Sequence, residues 1–286
     1  MKVVFFGTPD YVVPIAEALF KEFRTTKEKG VVAVVTQAPK PAGREKKIEY
    51  SAVDTWAYKH KIPIFHNFEK LPEAELGVVA AYGKIIPKSV IEHFLKGILN
   101  VHPSLLPQYR GASPIQAAIA AGEAETGVTV IKMDELMDHG PIISSFKEEI
   151  GSEDTNETLR TRLFERSAEF LISLIPSYIS GKIKPKDQNH KEATFTKLIT
   201  KDNGFIKEPF ADPVKTEGLF RAFDPWPGIW TYVNINKEQK RLKILKLHLE
   251  KLMPNHYSLV PDIVQLEGKK PVTWEEFKKG YPNFKL

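Results

Sequence analysis

The chain has 286 residues, 42% of them hydrophobic, and a formal net charge of +5, which is enough for two ordinary domains with sizeable cores. It contains no cysteine, so a disulfide framework, a thiolate nucleophile and a cysteine-based metal site are excluded. The lack of cysteine is compatible with a cytoplasmic setting, which is expected, as is a monomer; no apolar run is long enough to span a bilayer, and the apolar run in the opening Met-Lys-Val-Val-Phe-Phe-Gly-Thr is too short for a signal-peptide core, so a soluble protein away from membranes is expected.

In chain order, Lys2 to Phe6 is an apolar β-branched and aromatic run ending at Gly7-Thr8-Pro9, followed by an amphipathic stretch from Tyr11 to Phe23. Strand, tight turn and helix in that order predict the opening of a doubly wound α/β domain with a mostly parallel sheet. The turn holds a single glycine, so the Gly-x-Gly-x-x-Gly dinucleotide fingerprint is missing and a nicotinamide enzyme is rejected. A second strand, Val31 to Val35, leads into a polar loop from Thr36 to Lys47 whose charges are Lys40, Arg44, Lys46 and Lys47 against Glu45. A loop this long with its own charge pattern points to function. A helix from Ser51 to about His60, a short strand at Pro63 to Phe65, a buried run from Leu76 to Ala81 and a helix from Lys88 to Leu95 come next.

Ile98 to Gly111 is the stretch around which the rest is arranged. Alternation along a strand puts Asn100 and His102 on one face. Pro103 pushes His102 away from helical backbone, leaving the imidazole at the carboxyl end of the strand, where open α/β sheets bind ligands. An amide and an imidazole side by side are well suited to donate hydrogen bonds to an oxygen that becomes negative as a carbonyl is attacked. For an isolated Asn-x-His, a turn asparagine and a satisfied histidine remain the commoner reading. Ser113-Pro114 starts a helix to about Ala121, Thr126 to Met133 and Pro141 to Ile150 pair through a turn at Asp138-His139-Gly140, and Asp154 or Thr155 caps a long helix to about Ile179 that Pro176 interrupts.

Residues 1–181 hold 21 Lys and Arg against 23 Asp and Glu, a balance of −2, whereas residues 182–286 hold 20 against 13, a balance of +7. The domain boundaries follow: a first domain over 1–181, a polar linker over 182–192, and a basic second domain over 193–286. Its short strands at Thr194 to Leu198, Trp230 to Ile235, Leu242 to Leu249 and Asp262 to Leu266 suggest a small β-barrel or sandwich, shortened by a lack of strands between Leu249 and Gln265. The surplus fits a polyanionic partner or a merely soluble basic surface, and Trp226, Trp230 and Trp274 read as core before they read as base-stacking groups.

The run Asn-Val-His-Pro-Ser-Leu-Leu-Pro-Gln-Tyr-Arg-Gly-Ala-Ser-Pro-Ile from Asn100 resembles the signature of the folate-dependent formyltransferases, most closely the methionyl-tRNA branch. Further matches lie at Phe5 to Asp10, Thr36-Gln37 with Pro41 to Arg44, Ala81 to Pro87, Met137 to Gly140, Ala193 to Phe195 and Arg221 to Gly228. The resemblance implies a Rossmann-like catalytic domain with an OB-like second one, and a catalytic trio of Asn100, His102 and Asp138, although Asp138 alone reads as a turn aspartate. It implies that 10-formyltetrahydrofolate, with no metal, binds at Ser104, Leu105, Leu106 and Pro107 beside Tyr82 and Gly83, and that the loop bearing Lys40, Arg44, Lys46 and Lys47 meets the initiator methionyl-tRNA. Two alternatives remain: a formyltransferase for an amino-sugar nucleotide, and a catalytically silent RNA-binding relative. The stretch from Phe65 to Val78 is shorter than the family pattern, as though a helix were trimmed to a turn.

Overall fold

The computed structural model describes residues 1–26, 29–42, 45–254 and 256–284. These fall into two compact units: Met1–Pro114 with Glu125–Glu149 and Arg160–Thr196, and Ile115–Ala124 with Ile150–Leu159 and Lys197–Leu286.

Alternation of apolar strands with amphipathic helices builds the first unit. Its elements are β1 (Val3–Gly7), α1 (Val13–Glu22), β2 (Val31–Val35), β3 (Lys40–Ala42), β4 (Lys47–Glu49), α2 (Ala52–Lys59), β5 (Ile64–Phe65), β6 (Leu76–Ala80), α3 (Lys88–Ile91), β7 (Ile98–His102) and β8 (Arg110–Gly111). They continue with α4 (Pro114–Ala120), β9 (Glu125–Lys132), β10 (Ile142–Glu149), α5 (Asn156–Ile179) and β11 (Phe195–Thr196), of which α4 and α5 run across the boundary between units. Seven strands form one sheet in the order β10-β9-β7-β6-β1-β2-β5; β7, β6, β1, β2 and β5 are parallel and β9 is reversed between β7 and β10. β1 and β6 are buried at every position, as strands covered on both sides must be, so they read as unbroken apolar runs. Val4, Phe6, Ala33, Val35, Val79, Tyr82, Phe94 and Ile98 share one core cluster, each large side chain contributing about 1.5–3 kcal/mol by burial. Ser51 caps α2 with a reciprocal pair of bonds to Asp54, and Thr155 accepts from Thr158 N at the start of α5, where Pro176 does not end the helix.

The basic stretch after β2, expected as an open loop, carries the β3–β4 hairpin, paired antiparallel from Lys40↔Glu49 to Ala42↔Lys47. α3 stops four residues short of Leu95. Among the described residues no helix stands between β5 and β6.

The second unit holds α6 (Pro213–Phe223), β12 (Ile229–Ile235), β13 (Glu238–Met253), β14 (His256–Leu266), β15 (Val272–Thr273) and α7 (Trp274–Gly280). Its strands form an antiparallel sheet in that order, and among the described residues β12 and β15 are not paired with each other. Strands do occupy the stretch after Leu249: β13 and β14 pair there through Leu249↔Leu259, Glu250↔Ser258 and Lys251↔Tyr257. Charged residues and Pro261 hide the alternation in the sequence, because a proline argues against a paired strand. The structure accommodates it opposite Leu247, next to an irregularity of register. Val233, Ile235, Leu242, Val264, Leu266 and Phe277 form this unit's core. Trp274 stacks on Phe277 and belongs there, whereas Trp226 is half exposed. Among the described residues no helix is long and apolar enough to cross a membrane.

Candidate active site

The site is built at the carboxyl ends of β6 and β7, which are neighbours in the sheet. Asn100 and His102 leave β7 on one face, as strand alternation requires, and the turn after β9 brings Asp138 to them. Asn100 Nδ2 donates to Asp138 Oδ1 at 3.2 Å, and His102 Nδ1 lies 3.5 Å from the same oxygen. The other carboxylate oxygen accepts from the backbone N–H of Gly111 at 2.7 Å. His102 is buried, and its Nε2 donates to the carbonyl of Tyr109 at 3.0 Å, so one ring nitrogen is fixed by backbone and the other faces the carboxylate. The three side chains that the sequence singles out therefore converge around one carboxylate.

Two features of the backbone make this possible. Asp138 sits at φ +50, in the left-handed region that aspartate enters more readily than most residues. Gly111, at φ +109, approaches so closely that a Cβ there would stand 2.5 Å from the carbonyl of Thr196. Only glycine presents its amide to Asp138 in that conformation.

Ser104 to Pro107 follow directly after His102 and are pinned by Thr129, which lies opposite His102 on β9. Thr129 Oγ1 donates to Ser104 O at 2.7 Å and accepts from Leu106 N at 3.0 Å. Ser104 is fully buried with its hydroxyl donating to Gln108 O at 2.6 Å, Leu106 is buried, and Leu105 and Pro107 are partly exposed. Past the end of β6, the Tyr82 carbonyl accepts from Thr8 Oγ1 and Gln37 Nε2, and Gly83 turns the chain at φ +78. The Tyr82 ring packs edge-on against Phe6 and Phe68, yet its buried hydroxyl has no hydrogen-bond partner among the described residues. Burial pushes that hydroxyl's pKa up. The hydroxyl lies inside the core cluster with Phe6 and Phe94, so it is the turn after Tyr82 and the loop after His102, with their backbone groups held in place, that border the carboxyl ends of β6 and β7.

In the basic hairpin Lys40 donates to Gln37 Oε1 at 3.2 Å, Lys47 pairs with Glu45 at 2.7 Å, and Lys46 is exposed at φ +51. Arg44 lies outside the described residues. The hairpin's base is clasped by the hydroxyls of buried Thr36 and of Ser51, 2.8 Å apart.

The formyl transferase family model matches residues 1–175. A methionyl-tRNA formyltransferase of Methylacidiphilum infernorum (isolate V4) is 40% identical, with the match covering 98% of this chain and 95% of that protein. The chain belongs to the methionyl-tRNA formyltransferase family. Among solved structures, the N-formyltransferase from Helicobacter canadensis in complex with folinic acid and dTDP-3-aminofucose superposes with a TM-score of 0.69 at 18% identity, covering 91% of this chain and 98% of that one. The methionyl-tRNA formyltransferase from Clostridium thermocellum gives 0.58 at 19% identity over 93% and 98%. Both likenesses concern the fold, which sugar and tRNA members of the formyl transferase fold share; the sequence match is what places this chain in the methionyl-tRNA formyltransferase family.

Reading the sequence alone misses the groups that hold the site together. Tyr109 and Gly111 lie inside the signature run and Thr129 closes a second match, yet the sequence gives no role to the Tyr109 carbonyl, the Gly111 amide or the Thr129 hydroxyl. Gln188 and Thr194 lie in or beside the stretch that composition assigns to a linker. Thr194 Oγ1 accepts from Tyr109 N at 2.8 Å, and Lys186 exchanges two backbone bonds with Ile142.

Proposed function

We propose that the chain transfers the formyl group of 10-formyltetrahydrofolate to the α-amino group of methionyl-tRNA, and that Asn100, His102 and Asp138 carry the chemistry. The observation that supports it is the single carboxylate of Asp138 held by Asn100 at 3.2 Å, His102 at 3.5 Å and Gly111 N at 2.7 Å. The neutral amine attacks the formyl carbon, a C–N bond forms, and the carbonyl electron pair moves to oxygen. Asn100, through the N–H that it does not give to Asp138, and His102, through the Nδ1 that lies a loose 3.5 Å from Asp138, are the donors for that oxygen, and losing one such donor typically costs roughly two to three powers of ten in rate. As the bond to the folate nitrogen breaks, that nitrogen takes up a proton and the attacking nitrogen sheds one. His102, oriented by the Tyr109 carbonyl and paired with Asp138, is the group placed to pass it. The stretch from Ser104 to Pro107, held in place by Thr129, and the Tyr82-Gly83 turn beside it would hold the pterin.

Initiator tRNA meets the exposed lysines of the β3–β4 hairpin, which supply phosphate contacts that position RNA without reading its sequence. The +7 balance of residues 182–286 adds to the same attraction. The test is incubation of purified protein with 10-formyltetrahydrofolate and either methionyl-tRNA or a panel of amino-sugar nucleotides. Formylated methionyl-tRNA alone is expected, with His102→Ala and Asp138→Ala slower by roughly two to three powers of ten. Formylation of a sugar, or variants as active as the parent, would overturn the reading.

A further inference from the structure

We propose that Gln188 is a positioning residue that sets the reach of the Asp138 carboxylate by gripping the backbone of its turn. This rests on Asp138 being the catalytic carboxylate. Gln188 is 6% exposed, and all its bonding capacity is directed at the site. Its Nε2 donates to two carbonyls of the turn, Asp138 O at 2.9 Å and Gly140 O at 2.8 Å. Its Oε1 accepts from Arg110 Nη2 at 2.7 Å, and Arg110 is 3% exposed. The residue after Arg110 is Gly111, whose amide holds the Asp138 carboxylate. A closed ring results: Asp138 backbone to Gln188, to Arg110, along one peptide to Gly111, and back to the Asp138 side chain.

The ring does what strand alternation cannot. Asn100 and His102 are aimed by β7, but Asp138 stands in a turn at φ +50, between exposed Met137 and half-buried His139, and no strand or helix fixes it. Gripping both carbonyls of the turn and the side chain from independent sides over-determines that backbone. Gln188 is itself held, because Lys186 pairs with Ile142 through bonds of 2.7 and 2.8 Å. A second brace runs alongside. Arg110 Nη2 donates to His190 Nδ1 at 2.8 Å, and the His190 ring stacks on His139 at 4.0 Å and 2°, while His139 Nδ1 lies 2.6 Å from Asp134 Oδ2. Gln188 touches carbonyl oxygens and a guanidinium and makes no bond to the carboxylate, so its effect on catalysis passes through geometry.

The experiment replaces Gln188 by Met, which keeps length and volume and removes every hydrogen bond. Steady-state and single-turnover rates are measured in the parent and in an Asp138→Ala background. Misplacement of a catalytic group by about 1 Å costs on the order of a hundredfold, so kcat should fall roughly ten- to hundredfold while KM for tRNA and folate stays within about twofold. In the Asp138→Ala background the same substitution should change the residual rate less than about twofold, because residues acting through one group are not additive. An unchanged kcat, or a full additional loss in that background, overturns the inference. If Gln188→Met fails to fold, Gln188→Glu retains the bond to Arg110 while setting an acceptor against both carbonyls, and is judged by the same two results. Full activity in Asp138→Ala would instead overturn the functional reading on which the inference rests.

Discussion

Two polar loops of the first unit border the site and are built on opposite plans. The turn from Asp134 to Gly140 is held at almost every step: its carbonyls by Gln188, its carboxylate by Gly111, His102 and Asn100, its histidine by Asp134 and His190. The β3–β4 hairpin is tied at its base by Thr36 and Ser51, while Lys40, Lys46 and Lys47 stand exposed, with Lys40 on Gln37 and Lys47 on Glu45 among the described residues. The difference fits the proposed roles. A carboxylate proposed to steady the proton-passing His102 has to be within about half an ångström of its place before substrate arrives. Lysines proposed to meet phosphates act over a Debye length of about 8 Å, and close fixing would gain them little.

The sharpest way to break this contrast is at Gly140, where a Cβ would come 1.9 Å from the carbonyl of Lys132. Gly140→Ala must push the pinned turn aside. The expected result is a kcat lower by about one to two powers of ten and a stability loss of about 1–3 kcal/mol, read by single-turnover assay and by thermal unfolding. A variant with parental kcat would mean that the turn's exact backbone path does not matter.

The loose loop should respond differently. Replacing Lys46 and Lys47 together by Ala is expected to raise KM for methionyl-tRNA several-fold and to leave kcat and the folate KM alone. The slope of log affinity against log salt should fall by about one for each phosphate that a lysine no longer neutralises. Equal damage to folate use would show that the hairpin is part of the chemical site.

The smallest effect concerns the joint between the loops, where Gln37 bonds both Lys40 and the Tyr82 carbonyl. Tyr82→Phe deletes a buried hydroxyl that bonds nothing among the described residues, so at pH 7 its melting temperature should equal or exceed the parent's. Burial raises the tyrosine's folded pKa above its unfolded value. Below about pH 10 both states keep the proton and the hydroxyl contributes no pH dependence; above it the unfolded chain ionises first and the parent loses stability that the variant keeps. A variant that melts lower at pH 7 would refute the orphaned state of the group.

The features legible in the amino-acid order are those governed by short-range rules. Apolar runs and turn residues marked β1, β2, β6 and β7 to within a residue or two, because buried parallel strands have no polar face to disguise them. The alternation Asn100-Val101-His102 before Pro103 placed two polar groups on one strand end. Tertiary structure alone decided the rest. Asp138 alone reads as a turn aspartate, and its approach to His102 depends on β9 returning beside β7. Gln188 stands 50 residues beyond it in a stretch without periodicity, and it is buried against that turn by long-range contacts that carry no local signature. The far end of the β13–β14 pair, beyond Leu249 and before Asp262, was obscured for the related reason that a charged, half-exposed ribbon containing Pro261 is stabilised by its partner strand rather than by its own composition.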